Sequence, residues 1–136
     1  MKRFFAFSVF ASIFFSACKK DSPSQQQGSD IRDQYVGVWE CQENSAQNGL
    51  STFDVVMNKS SVSSQITISN FYNYGPTFEP YATLNSTGDQ ITLPSQILQG
   101  NSLQGSGTLQ SNNISFTYTV DNGTVVDDVT ALLIKK

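Results

Sequence analysis

The sequence predicts an all-β domain, an up-and-down antiparallel meander of about eight strands that closes into a small barrel. Three features of the chain point there. After Tyr35 almost every apolar residue follows a period-two pattern with serine or threonine between, as half-buried antiparallel strands require. Helical periodicity is missing except from Asp30 to Tyr35, where Asp30 is placed to cap a single turn. Turn chemistry punctuates the rest at Ser86-Thr87-Gly88-Asp89, Gln99-Gly100-Asn101, Ser111-Asn112-Asn113 and Asp121-Asn122-Gly123.

Taken in order, the first predicted strand, Tyr35–Gln42, carries Trp39 and Cys41 on one face. In Ser51–Asn58, Phe53, Val55 and Met57 alternate with Thr52, Asp54 and, imperfectly, Val56. Gln65–Asn70 turns Ile66 and Ile68 to one side, Tyr81–Ser86 follows, and Gln90–Ser95 carries Ile91 and Leu93. Ser102–Gln110 places Gly105 and Gly107 on the face of Leu103 and Leu109, where inward glycines suit a strand that bends as a sheet curls. A phosphate cradle would need a following helix N-terminus, and none is predicted. Asn113–Val120 alternates Ile114, Phe116, Tyr118 and Val120, and Thr124–Ile134 closes the series. Pairing first and last strands removes the exposed edges of the meander.

Links in a meander alternate between the two ends. Glu43–Leu50, Phe71–Pro80 and Gln96–Asn101 fall at one end, whereas Lys59–Ser64, the tight turns at Gly88 and Asn112, and both termini fall at the other. One mouth is therefore looped and the other nearly closed. The longest loop is also the most aromatic, and Phe71, Tyr72, Tyr74, Phe78 and Tyr81 are the candidate ligand contacts. Its tyrosines either stack on sugar rings or cover an apolar pocket, or else Phe71 and Phe78 plug the barrel and the tyrosines lie over them.

Ahead of this domain lie two segments of different character. Met1-Lys2-Arg3, an apolar run from Phe4 to Phe15 and Ser16-Ala17-Cys18 have the order of a secretory signal peptide, too short to match the ~20 apolar residues of a membrane-spanning helix. Lys19–Ser29 is polar throughout and reads as a flexible tether. The expected organisation is a cleaved signal peptide over 1–17, a tether over 18–29 and one domain over 30–136, whose 107 residues suffice for a single core.

Composition narrows the chemistry. Cleavage takes Lys2 and Arg3 away, so six basic residues face eleven acidic ones, a net of −5 with no basic cluster, and no nucleic-acid partner is expected. Histidine is absent, which removes the commonest general base and metal ligand. Cys41, without a histidine to activate it, reads as a small core residue rather than a nucleophile. Asp127 and Asp128 are adjacent, so they point to opposite strand faces and do not form a paired acid and base; with Asp121 they read as a solvated acidic hairpin rather than a calcium loop. No metal, cofactor or enzymatic activity is expected.

Two resemblances add to this. Phe15-Ser16-Ala17-Cys18 resembles the lipobox of bacterial lipoproteins, with Phe15 where leucine is commonest, which implies cleavage before Cys18 and acylation of that residue. Lys19 at the second mature position implies the outer membrane, on its periplasmic face or at the cell surface. Gly37-Val38-Trp39 resembles the Gly-x-Trp signature of lipocalins. Ile31 to Lys136 is similar to small Bacteroidota lipoproteins with a lipocalin-like barrel, through Ile31-Arg32-Asp33-Gln34-Tyr35-Val36-Gly37, Ile66-Thr67-Ile68-Ser69-Asn70-Phe71, Ile91-Thr92-Leu93-Pro94, Gly105-Ser106-Gly107-Thr108 and Ile114-Ser115-Phe116-Thr117-Tyr118-Thr119. Many of those proteins carry a cysteine pair at the positions of Ser45 and Val129, which this chain lacks. The resulting expectation is a non-enzymatic envelope lipoprotein, held to the membrane through acylated Cys18, that binds a small apolar ligand, a glycan or an envelope protein. The alternative is a structural or protease-inhibitor-like envelope protein.

Overall fold

The computed structural model describes residues 28–136; the expected signal peptide, Cys18 and nearly all of the expected tether lie outside the described residues. Eight strands follow one another: β1 Gly37–Ser45, β2 Gly49–Lys59, β3 Gln65–Ser69, β4 Tyr81–Leu84, β5 Gln90–Leu98, β6 Asn101–Gln110, β7 Asn113–Asp121 and β8 Val126–Lys135. Each pairs antiparallel with its neighbours, and β8 pairs with β1, so the predicted meander is a closed barrel. Among the described residues there is no α-helix, only 3₁₀ turns at Ile31–Gln34 and Phe71–Asn73.

Alternation carries the apolar residues inward. Trp39 and Cys41 of β1, Val55 and Met57 of β2, Ile66 and Ile68 of β3, Ile91 and Leu93 of β5, and Ile114, Phe116 and Tyr118 of β7 are all buried in one core. The interior is filled: the apolar void between Met57, Ile68, Ile91, Phe116 and Leu133 amounts to only about 10 Å³. Gly105 and Gly107 stand opposite Tyr118 and Phe116 on β7. A Cβ at Gly105 would lie 2.5 Å from both the Thr117 carbonyl and the Tyr118 Cβ, and one at Gly107 would press on the Phe116 ring. The glycines thus let β7 approach closely, with the Tyr118 Cβ over Gly105 and the Phe116 ring over Gly107. Ser45 and Val129, the cysteine positions of the resembled lipoproteins, are direct partners across β1 and β8.

The end at which β1 begins and β8 finishes is sealed by the first 3₁₀ turn. Asp30 caps it, accepting from the Arg32 backbone N–H at 3.0 Å, and the Arg32 guanidinium donates to the carbonyls of Ser60 at 2.9 Å and Val62 at 3.1 Å in the β2–β3 link. Behind it Tyr35 donates its hydroxyl to the Gly88 carbonyl at 2.9 Å, and Trp39 donates its indole N–H to the Tyr35 carbonyl at 2.7 Å. Both rings are fully buried with their polar atoms satisfied.

Two predicted links at the opposite end are much shorter than expected. β1 runs on to Ser45 and β2 starts at Gly49, so Glu43–Leu50 is a tight hairpin. β5 continues to Leu98 past an irregularity between Leu93 and Gln96, and meets β6 through Gln99 and Gly100 alone, at φ of 50° and 81°, as two-residue hairpins require. Polar residues facing solvent on long strands had the composition of loops. Only the segment between β3 and β4 is a long loop at this end.

Candidate functional site

The β3–β4 loop is built around left-handed backbone. Asn70, Tyr72 and Asn73 have φ of 60°, 55° and 56°. Asparagine visits this region readily, but a bulky tyrosine there is strained and must be held by its surroundings. The hold is visible: Asn70 donates its side-chain amide to the Asp54 carbonyl at 2.7 Å and accepts from the Gly75 N–H at 2.8 Å, while the Phe71 N–H donates to the Phe78 carbonyl at 3.2 Å.

This geometry sorts the five candidate contacts. Phe71 and Phe78 are buried in the core and cap the barrel, so they are packing residues with no surface to offer. Tyr72 is also buried, its side chain directed into the mouth. Tyr74 alone projects from the loop, half exposed, edge-on to Tyr72 at 4.8 Å and to Phe78 at 5.1 Å between centroids. Tyr81 opens β4 with its side chain exposed and its backbone bound on both sides by the Gln96 amide, and it lines no part of the mouth.

Beneath Tyr72 lies a buried polar network. Asp127, on the inward face of β8, accepts hydrogen bonds from the Ser45 hydroxyl, from the Tyr72 hydroxyl at 2.5 Å and from the Gln47 backbone N–H at 3.0 Å. Asn48 donates its side-chain amide to the Tyr72 oxygen at 2.7 Å, and its own N–H reaches the Ser45 hydroxyl at 2.8 Å. The expectation of a solvated acidic hairpin is therefore wrong for Asp127, which is buried, while Asp128 faces outward as predicted. Burial opposes ionisation of Asp127, but the bonds from Ser45, Tyr72 and the β1–β2 turn outweigh it and hold the carboxyl below its usual range.

Glu43, also buried, accepts from the Tyr118 hydroxyl. Here desolvation wins: its pKa is raised, the Tyr118 bond opposing and the charge of Asp127 adding. One side chain along the same face, the Cys41 thiol is pushed up to about 12, first by burial and then by Glu43, so it stays protonated and inert.

Neither carboxylate stands out in the sequence as a buried group. A signal existed: continuing the alternation of Trp39 and Cys41 puts Glu43 and Ser45 inside, and counting back from Leu133, Ala131 and Val129 puts Asp127 inside. Chemically the buried groups of the network are saturated. It fixes Tyr72 and the β1–β2 turn as a rigid floor, and above that floor two open clefts meet at Tyr74. One, of about 200 Å³, is lined by Gln47, Asn48, Tyr72, Tyr74, Asn101 and Asn122, with Val120, Val125 and Asp127; the other, of about 260 Å³, by Glu43, Asn48, Ser51, Tyr72, Asn73 and Tyr74. Among the described residues no group of three or more Cys, Asp or Glu comes together to hold a metal ion.

No protein-family model and no curated protein matches the chain. Among solved structures it is similar to a redesigned β-barrel, at 14% identity and a TM-score of 0.57, over 79% of this chain and 96% of that one. At that identity the likeness shows the barrel fold alone.

Proposed function

We propose that this protein is an envelope lipoprotein, acylated at Cys18 and held at the outer membrane, whose barrel works as a non-enzymatic binding module through its looped end. One observation carries the choice of surface: with an interior void of about 10 Å³, a ligand has no room inside the barrel, whereas two open clefts flank Tyr74 at the mouth. Ligand pockets for small molecules commonly measure ~300–1,000 Å³; the interior void is far below that range, while the adjoining clefts, at about 200 and 260 Å³, lie just under it. Of the expected ligands, an apolar molecule held inside the barrel is thus the one least supported, and a glycan or protein met at the surface the best. Both termini of the barrel lie at the sealed end, so a tether leaving there turns the clefts away from the membrane.

Two measurements test this. Intact-mass analysis of the membrane fraction is expected to give a chain beginning at Cys18 with added acyl mass, and Cys18→Ser is expected to release the protein; a soluble wild-type chain retaining Met1 contradicts the anchor. A photo-crosslinking residue at position 74 is expected to form adducts in cells that the same residue at position 112, on the sealed end, does not. Equal adducts at both positions contradict the surface assignment.

A further inference from the structure

Resting on that reading, we propose that the clefts around Tyr74 bind an uncharged saccharide, one sugar ring lying on the exposed face of Tyr74 and its hydroxyls held by the side-chain amides of Gln47, Asn48, Asn73 and Asn122. Four properties of the mouth lead to this class. No lysine or arginine lines either cleft, so nothing there favours a phosphate, sulfate or carboxylate. The carboxylates are no better suited to a cation, because Asp127 is already taken up by Ser45, Tyr72 and the Gln47 N–H, and Glu43 by Tyr118.

What the clefts present instead is primary amide. Each such group offers a donor and an acceptor side by side, the complement of vicinal hydroxyls. Among the described residues the side chains of Gln47 and Asn73 have no hydrogen-bond partner, the Asn48 amide donates to Tyr72 and keeps its oxygen free, and the Asn122 amide uses only its oxygen, accepting from the backbone of Thr124 and Val125. The fourth property is the ring of Tyr74, half exposed and packed nearly perpendicular to the Tyr72 and Phe78 rings, so that a braced apolar ring surface lines both clefts beside the amides. A tyrosine fixed in this way loses little conformational freedom when it binds.

The test uses the mature acylated protein in detergent micelles, passed over immobilised starch, mannan and β-glucan, with heparin and polysialic acid as acidic comparisons. Retention is expected on at least one neutral polymer, insensitive to salt and competed by its free oligosaccharide. Tyr74→Ala and Gln47→Ala are each expected to weaken it at least tenfold while the melting temperature of Gln47→Ala stays at the wild-type value. Retention on no neutral polymer, stronger retention on heparin or polysialic acid, or unchanged retention in both variants overturns the saccharide. Crosslinking in cells separates the two levels: adducts at position 74 without saccharide binding leave the looped end as a binding surface for another ligand, and no preference for position 74 removes both.

Discussion

The two ends of the barrel are built from opposite materials. At the sealed end Trp39 and Tyr35 are fully buried, each with one short hydrogen bond, and charge appears only outside them, in ion pairs such as Lys59 with Asp33. At the looped end carboxylates and tyrosine hydroxyls lie inside, the backbone is left-handed at four residues that are not glycine, Asn70, Tyr72, Asn73 and Gln99, against Ser64 and Ser111 at the sealed end, and asparagines face the solvent. The contrast teaches where a small barrel keeps stability and where it can hold a site. Apolar burial is cheap to satisfy, whereas buried polar groups cost free energy unless every partner is in place. A polar floor under an open cleft is thus an arrangement that packing alone does not call for.

Breaking the sealed end should have the largest effect. Trp39→Ala is expected to cost ~3–5 kcal/mol as a large core cavity, read from chemical denaturation, while leaving any binding by the residual folded fraction intact. A loss under ~1 kcal/mol would mean that this end is not the stability store. At the other end Tyr72→Phe removes one hydroxyl and leaves Asp127 and Asn48 each short of a partner, so a loss of ~1–3 kcal/mol is expected, with faster hydrogen exchange in the β1–β2 turn.

The two buried carboxylates sharpen the comparison through pH. Glu43 has a raised folded pKa, so its contribution is fully present below its ordinary value of 4.5 and is lost as pH rises through the folded value. Asp127 has a lowered one, so its contribution is present above 3.8 and is lost as pH falls through the folded value. Glu43→Gln is expected to gain stability relative to wild type as pH rises from 4 to 8, and the deficit of Asp127→Asn to shrink as pH is lowered below 4. Parallel stability curves for wild type and Glu43→Gln would mean that Glu43 reaches solvent. The smallest effect belongs to Tyr74→Ala, where loss of two edge-on ring contacts is expected to cost less than ~1.5 kcal/mol by thermal melting, far below Trp39→Ala.

The same contrast decides what could be read from the chain. Alternation made the eight strands, the closure, the burial of Trp39 and Cys41 and the capped turn at Asp30 legible, because at the sealed end residue type and burial agree. At the looped end they disagree. Glu43, Ser45 and Asp127 are polar and inside, so their strands look as though they stop early, and Glu43–Leu50 and Gln96–Asn101 look like loops when they are strand ends joined by tight turns. Of the aromatic loop, the sequence placed the rings at the correct end without separating Tyr74, which faces the clefts, from Phe71, Phe78 and Tyr72, which are held beneath it. That separation depends on the left-handed backbone at Asn70, Tyr72 and Asn73, where the asparagines are of a type that favours such backbone but the tyrosine gives no warning.

The glycines of β6 bear on how the chain finds its pairing. A slip of one residue between β6 and β7 would turn every inward side chain outward, and alternation forbids it. A slip of two preserves inside and outside, so the polarity pattern is blind to it. Gly105 and Gly107 are not blind, since only in the native register do Tyr118, through its Cβ, and Phe116, through its ring, each press on a residue with no side chain. They are expected to act as notches that reject misaligned hairpins during folding. Gly107→Ala should therefore slow refolding and populate a slipped hairpin, visible as altered hydrogen-exchange protection confined to β6 and β7, beyond the loss of stability that its overpacking causes.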